Sequence, residues 1–145
     1  MNSNRKTNKG IIVGLIFVTI FIFLHIIIEI ANNGETRGDF LLWFLQLLAY
    51  FFGGMIATSS QYQSQIDNDD PLSGITNAGR GNALVIFICI WVYILIRSIV
   101  LDDPGVFSGI GVFLSILFGV ADLALAIIFG SIAGNIVKNK HKDIY

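Results

Sequence analysis

Charge is what this sequence has least of. Only 13% of its 145 residues are Asp, Glu, Lys or Arg, while 54% are hydrophobic. A soluble domain carries roughly 25% charged residues, so a self-contained water-soluble fold is excluded and most of the chain must meet an apolar medium. Cysteine is nearly absent too. Cys89 stands alone, so no intrachain disulfide can form, and a thiol inside an apolar run reads as a small packing residue. There are two histidines, His25 and His141. They fall on opposite sides of the topology derived below, which argues against haem and leaves no convergent His/Cys set for zinc. The two prolines, Pro71 and Pro104, both sit in turn-like stretches, so none breaks an apolar run. A net charge of −1 gives no basic footprint for nucleic acid and no pull on acidic substrates.

What is abundant is length of apolar run. Four stretches, 10–30, 40–58, 83–101 and 109–137, approach or exceed the roughly 20 apolar residues that span a bilayer as a helix. The first follows a basic start, as a signal peptide would. It is too long for one, and no small-x-small cleavage site follows, so it reads as a retained helix. Residues 1–9 and 138–145 form short polar tails. Residues 59–82 form the only long connection, rich in Ser, Gln, Asn, Asp and Gly, whose first part has the composition to prolong the second helix. The expected fold is therefore all-α: a polytopic four-helix transmembrane bundle of two sequential hairpins, the first span beside the second and the third beside the fourth. Basic residues orient it. Arg5, Lys6, Lys9, Arg80, Lys138, Lys140 and Lys142 fall on one face and only Arg37 on the other. Positive-inside then puts both termini and the long loop in the cytoplasm, in a plasma (inner) membrane protein.

Two kinds of feature stand out within the spans. The first is a set of small-xxx-small ridges: Ala49, Gly53 and Ala57 on the second span, and Ala126, Gly130 and Gly134 below Asp122 on the fourth, with Gly111, Ser115 and Gly119 as a further small stripe. Such spacing lets helix backbones approach closely in a bilayer. It predicts that the second and fourth spans make the closest contacts, with each other or with another chain. The second is a set of polar side chains that a bilayer penalises. At about 1.5 Å per residue, His25, Arg97 and Asp122 each lie roughly 22 Å from the cytoplasmic edge. Gln46 lies about 9 Å below the outer edge, and Glu29 one turn above His25. Each span thus offers a group to one layer. Arg97 needs a carboxylate or must snorkel, and Asp122 is the expected bidentate partner. His25 and Glu29 share a face at i, i+4 and pair with each other or bridge to Arg97, while Gln46 hydrogen-bonds between the two charges.

Other chemistry is poorly supported. Asp67, Asp69 and Asp70 resemble a calcium loop in composition only, because the sixth position is Leu72 and no Glu closes the loop. Gly79-Arg80-Gly81 lacks the strand–helix setting of a phosphate loop. Ser98 and Ser115 have no base beside them. The expectation is a protein without catalytic residues, cofactor or metal, whose partners are the lipid bilayer and other membrane subunits or copies of itself. The ridges favour a non-catalytic subunit or scaffold of a larger membrane complex. The alternative is a small oligomeric transporter or channel that uses the polar layer of Asp122, Arg97, His25 and Glu29 as a proton or ion path.

Overall fold

The computed structural model describes residues 9–32, 39–67, 74–100 and 108–142. The expectations placed on residues 1–8, Arg37, Asp69, Asp70, Pro71, Leu72 and Pro104 lie outside that set. Among the described residues the chain is entirely helical, without strands: α1 (Lys9–Ala31), α2 (Asp39–Leu48), a π-helical turn (Ala49–Gly53), α3 (Gly54–Asp67), α4 (Thr76–Val100) and α5 (Gly109–Lys142). The helices α2 and α3 are continuous through the π turn, giving four rods. Each contains a stretch long and apolar enough to cross a membrane, over Lys9–Ala31, Leu41–Asp67, Thr76–Val100 and Gly109–His141. By length and composition this is a multi-pass membrane protein.

The helices follow from local chemistry. No proline interrupts them, and the Ile, Leu, Phe and Val runs present apolar side chains all round, the pattern of a helix with no aqueous face. Gly74 supplies the left-handed residue before α4, with φ of 73°, a conformation that glycine adopts without a Cβ clash. At the head of α5 the Ser108 hydroxyl accepts from the Gly111 amide at 3.0 Å, satisfying one of the free donors of a helix start.

Three expectations need correction. In the stretch 59–82 the second helix is prolonged to Asp67 as expected, but α4 begins at Thr76, earlier than the expected start at residue 83. The Ser, Gln and Asn residues of this stretch tolerate helix where the chain has left the apolar region. The last helix likewise continues past Val137 to Lys142. The third correction concerns neighbours. The helix α4 is the hub, packing most extensively on α5 and α1, while α1 touches the second rod less. The third and fourth spans are neighbours as expected, while for the first span chain adjacency is overridden by side-chain size. At Gly14 of α1 an added Cβ would stand 2.9 Å from Cβ of Val85 and 3.1 Å from the Asn82 carbonyl oxygen, so α1 is drawn against α4. The two run in the same direction, as do the second rod and α5.

The bundle has two unlike halves. The half holding the start of α1 and the end of α5 is termed proximal, and the other half distal. In the proximal half, glycines let backbones meet. A Cβ at Gly79 would lie 2.6 Å from the Gly130 carbonyl oxygen, one at Gly130 would lie 2.8 Å from that of Gly79, and one at Gly134 would lie 3.0 Å from that of Thr76. Gly54 packs on Ala133 and Gly79, and Ala57, Ala126 and Ala133 are fully buried. The ridge Ala126-Gly130-Gly134 is thus occupied within the chain, and its closest partner is α4 rather than the second span. The π turn interrupts the other ridge between Ala49 and Gly53. All three of its residues are nevertheless buried, with Gly53 set against Asn82 and Phe17. Beyond this seam Arg80 Nε donates to Ser131 Oγ at 2.8 Å, and Tyr62 stacks on His141 with ring centroids 3.9 Å apart.

Candidate functional site: a carboxylate in a distal cleft

The distal half does not close in the same way. There Gly119 faces the Trp91 side chain rather than a neighbouring backbone, and a cleft of about 530 Å³ opens between all four rods. Asp122 of α5 lies in its wall, 4% exposed. It is held from two helices. Gln46 Nε2 donates to Oδ2 at 2.9 Å, Trp91 Nε1 donates to the same oxygen at 2.8 Å, and the Tyr50 hydroxyl donates to both carboxylate oxygens at 3.1 and 3.2 Å. Gln46 also donates to the Tyr50 hydroxyl, which closes the network. Each supporting group follows from helix register. Gln46 and Tyr50 are four residues apart on the second rod and share a face, while Trp91 projects from α4, which runs antiparallel to α5.

Magnitudes show what this network does. A carboxylate at the centre of a membrane helix costs about 2.5–3.5 kcal/mol on insertion scales. A hydrogen bond between membrane helices contributes about 0.6 kcal/mol on average. Three neutral donors therefore offset roughly 2 kcal/mol, enough to hold Asp122 in place and too little to make it a net stabilising residue. Among the described residues, every group that reaches the carboxylate is an uncharged donor, and none is a cation.

Arg97, the expected partner, engages Glu29 instead: its Nη2 bonds Glu29 Oε1 in an ion pair of α4 with α1. One turn deeper, His25 Nδ1 is 2.8 Å from the Tyr93 hydroxyl, the rings set edge to face. Both pairs join residues 68 apart in sequence, as two parallel helices in constant register require. The reason for the correction is angular. His25 and Glu29 point at the α4 face bearing Tyr93 and Arg97, while Asp122 meets the α4 face bearing Trp91. His25, Gln46, Arg97 and Asp122 all border the cleft, and Glu29 reaches it through Arg97. The five polar residues thus fall into three groups around one opening, Gln46 with Asp122, Arg97 with Glu29 and His25 with Tyr93, and of the five only Gln46 touches Asp122.

Sequence reasoning left Tyr50 and Trp91 without a role. A signal for both was present. Tyrosine and tryptophan usually sit at the membrane–water interface, where one end of the ring is wet. Residues 50 and 91 lie near the middles of their spans, where a buried hydroxyl or indole N–H needs a partner. No family model matches this chain, and no curated protein and no solved structure is significantly similar to it.

Proposed function

We propose that this chain is a small membrane transporter or channel in which Asp122 is the group that engages the transported proton or cation. The observation that carries the reading is the carboxylate itself. It is buried in an apolar helix, held by Gln46, Tyr50 and Trp91, without a cationic partner among the described residues, and beside a cleft bordered by all four rods. Ionisable residues inside membrane spans are costly and mark ion and substrate pathways. The asymmetry of the bundle supports the same reading, since a glycine-packed half lies beneath an open one and a bound ion is thereby halted partway. Both termini are assigned to the cytoplasm of the plasma membrane on the basic residues of the tails and Arg80, which makes the cleft outward-facing. Four helices enclose little volume, so a through path takes more than one copy.

The subunit or scaffold reading keeps one supporting observation. An apolar groove of about 460 Å³ runs between α4 and α5, over Ser115 and Gly119. It has lost the support of the Gly130 ridge, which α4 of the same chain fills.

The test is reconstitution. Proteoliposomes with wild-type protein are expected to dissipate an imposed proton or monovalent-cation gradient, and Asp122→Asn to lower that rate by about 100-fold or more, as removal of a positioned proton-transfer group does. Equal rates for the two proteins, or no protein-dependent flux in wild type, would reject the transport reading.

A further inference from the structure

We infer that the distal cleft is a binding site for a hydrophobic organic cation, a monovalent onium-type ion carried on aromatic or aliphatic bulk. The inference rests on the reading of Asp122 as the working group and names the class of molecule that the cleft around it recognises. The first observation is size. About 530 Å³ exceeds what a proton or a dehydrated metal ion needs, and falls among pockets that hold drug-sized ligands, about 300–1,000 Å³. The second is lining. Phe21, Trp43, Trp91, Tyr93 and Phe118 converge on the cleft that Asp122 borders. Aromatic faces attract cations through their quadrupole, most strongly where water is excluded, and aromatic-lined pockets recognise quaternary ammonium groups. The third is the charge count. Among the described residues, Arg97 is matched by Glu29, Asp122 has only neutral donors, and Asp122 is the one acid that lines the cleft. Besides Asp122 its polar lining is His25, Gln46, Tyr93 and Arg97 and the remainder is aromatic or aliphatic, so a strongly hydrated metal ion, which needs several oxygen ligands, is poorly served. A cation with a weakly hydrated, apolar body is suited to it. Trp43 and Phe118 are themselves exposed, at 41% and 63%, so the aromatic lining is continuous with the surface through which such an ion would arrive from the bilayer.

The two tryptophans of the sequence, Trp43 and Trp91, both line this cleft, which makes intrinsic fluorescence a local reporter. Purified full-length protein in a non-ionic detergent is titrated with tetraphenylphosphonium and, separately, with tetraphenylborate, an anion of the same size and shape. The expected result is saturable fluorescence change with the phosphonium alone. Its apparent Kd should rise about tenfold in Asp122→Asn through loss of the desolvated charge partner, and about threefold in Phe118→Leu through loss of one aromatic face. Phe118 is exposed, so the second variant reports on the cleft even where the first folds poorly. Equal binding of both ions, no saturable binding of the phosphonium, or an unchanged Kd in both variants would overturn the inference. The proteoliposome measurement separates this from the broader reading. Asp122-dependent flux of protons or inorganic cations without phosphonium binding would overturn the organic-cation site and leave the transport reading standing. Phosphonium binding weakened in both variants supports the site whatever the flux.

Discussion

At the scale of single residues, the partner of Arg97 decides how the polar groups act. If Arg97 neutralised Asp122, the cleft would carry no net charge there and Glu29 would stand apart. The structure divides the charges the other way, with Arg97 on Glu29 and Asp122 on Gln46, Tyr50 and Trp91. Double-mutant cycles separate the two arrangements. Glu29→Gln with Arg97→Gln is expected to show a coupling of about 0.5–3 kcal/mol in unfolding free energy, as residues in contact do. Arg97→Gln with Asp122→Asn should be additive within about 0.5 kcal/mol. A larger coupling in the second cycle than in the first would restore the Arg97–Asp122 pair. Tyr50→Phe is a companion measurement. It removes one donor from Asp122 without changing the ring, and should lower stability by about 0.6–1.7 kcal/mol, the range for hydrogen bonds between membrane helices.

At the scale of elements, glycine decides which helices meet. The contacts of Gly79 with the Gly130 carbonyl, and of Gly130 with that of Gly79, are to backbone, which has no rotamer to yield. Gly130→Ala or Gly79→Ala is therefore expected to push α4 and α5 apart, at a cost of about 1–3 kcal/mol for an overpacked core position, seen as a lower unfolding temperature in detergent. Gly119→Ala is the control. Its Cβ would meet only the Trp91 ring, at 3.6 Å, an ordinary contact, and stability should stay within about 0.5 kcal/mol. If all three variants behave alike, the backbone contact is not what joins these helices. Here too lies the limit of what the sequence could reveal. Run length and composition are enough to find four rods, because an all-round apolar helix can be recognised without knowing its neighbours. Counting residues along a helix gives depth, so Asp122, Arg97 and His25 can be set at one height. It gives no azimuth. Which face of α4 turns to α1 depends on Gly14 meeting Val85, and which face turns to α5 depends on Gly79 meeting Gly130. Both are properties of two helices together. The π turn at Ala49–Gly53 adds a further rotation to the second rod that no α-helical spacing rule anticipates, and it is this rod that brings Gln46 and Tyr50 to the carboxylate.

At the scale of the whole molecule, the account joins a packed proximal half to an open distal half with an acid between them. Orientation can be read by labelling single cysteines in a Cys89→Ala background. Gln63→Cys and Asn139→Cys, both exposed at the proximal end, should react only with a membrane-impermeant thiol reagent applied to the cytoplasmic face. Gly109→Cys, where an added side chain meets nothing within 4 Å, should react only from the opposite face. Labelling of Gln63→Cys from outside would invert the topology and turn the cleft to the cytoplasm. The central claim is that Asp122 is present for what it engages and contributes little to holding the helices together. The most direct test measures flux and unfolding on the same preparations of wild type, Asp122→Asn and Asp122→Glu. Asp122→Asn, nearly isosteric and able to keep part of the Gln46–Tyr50–Trp91 network, should stay within about 1 kcal/mol of wild type in stability yet lose flux, while Asp122→Glu should retain measurable flux because the carboxylate remains. Full flux in a clearly destabilised Asp122→Asn would contradict that claim and make Asp122 a packing residue.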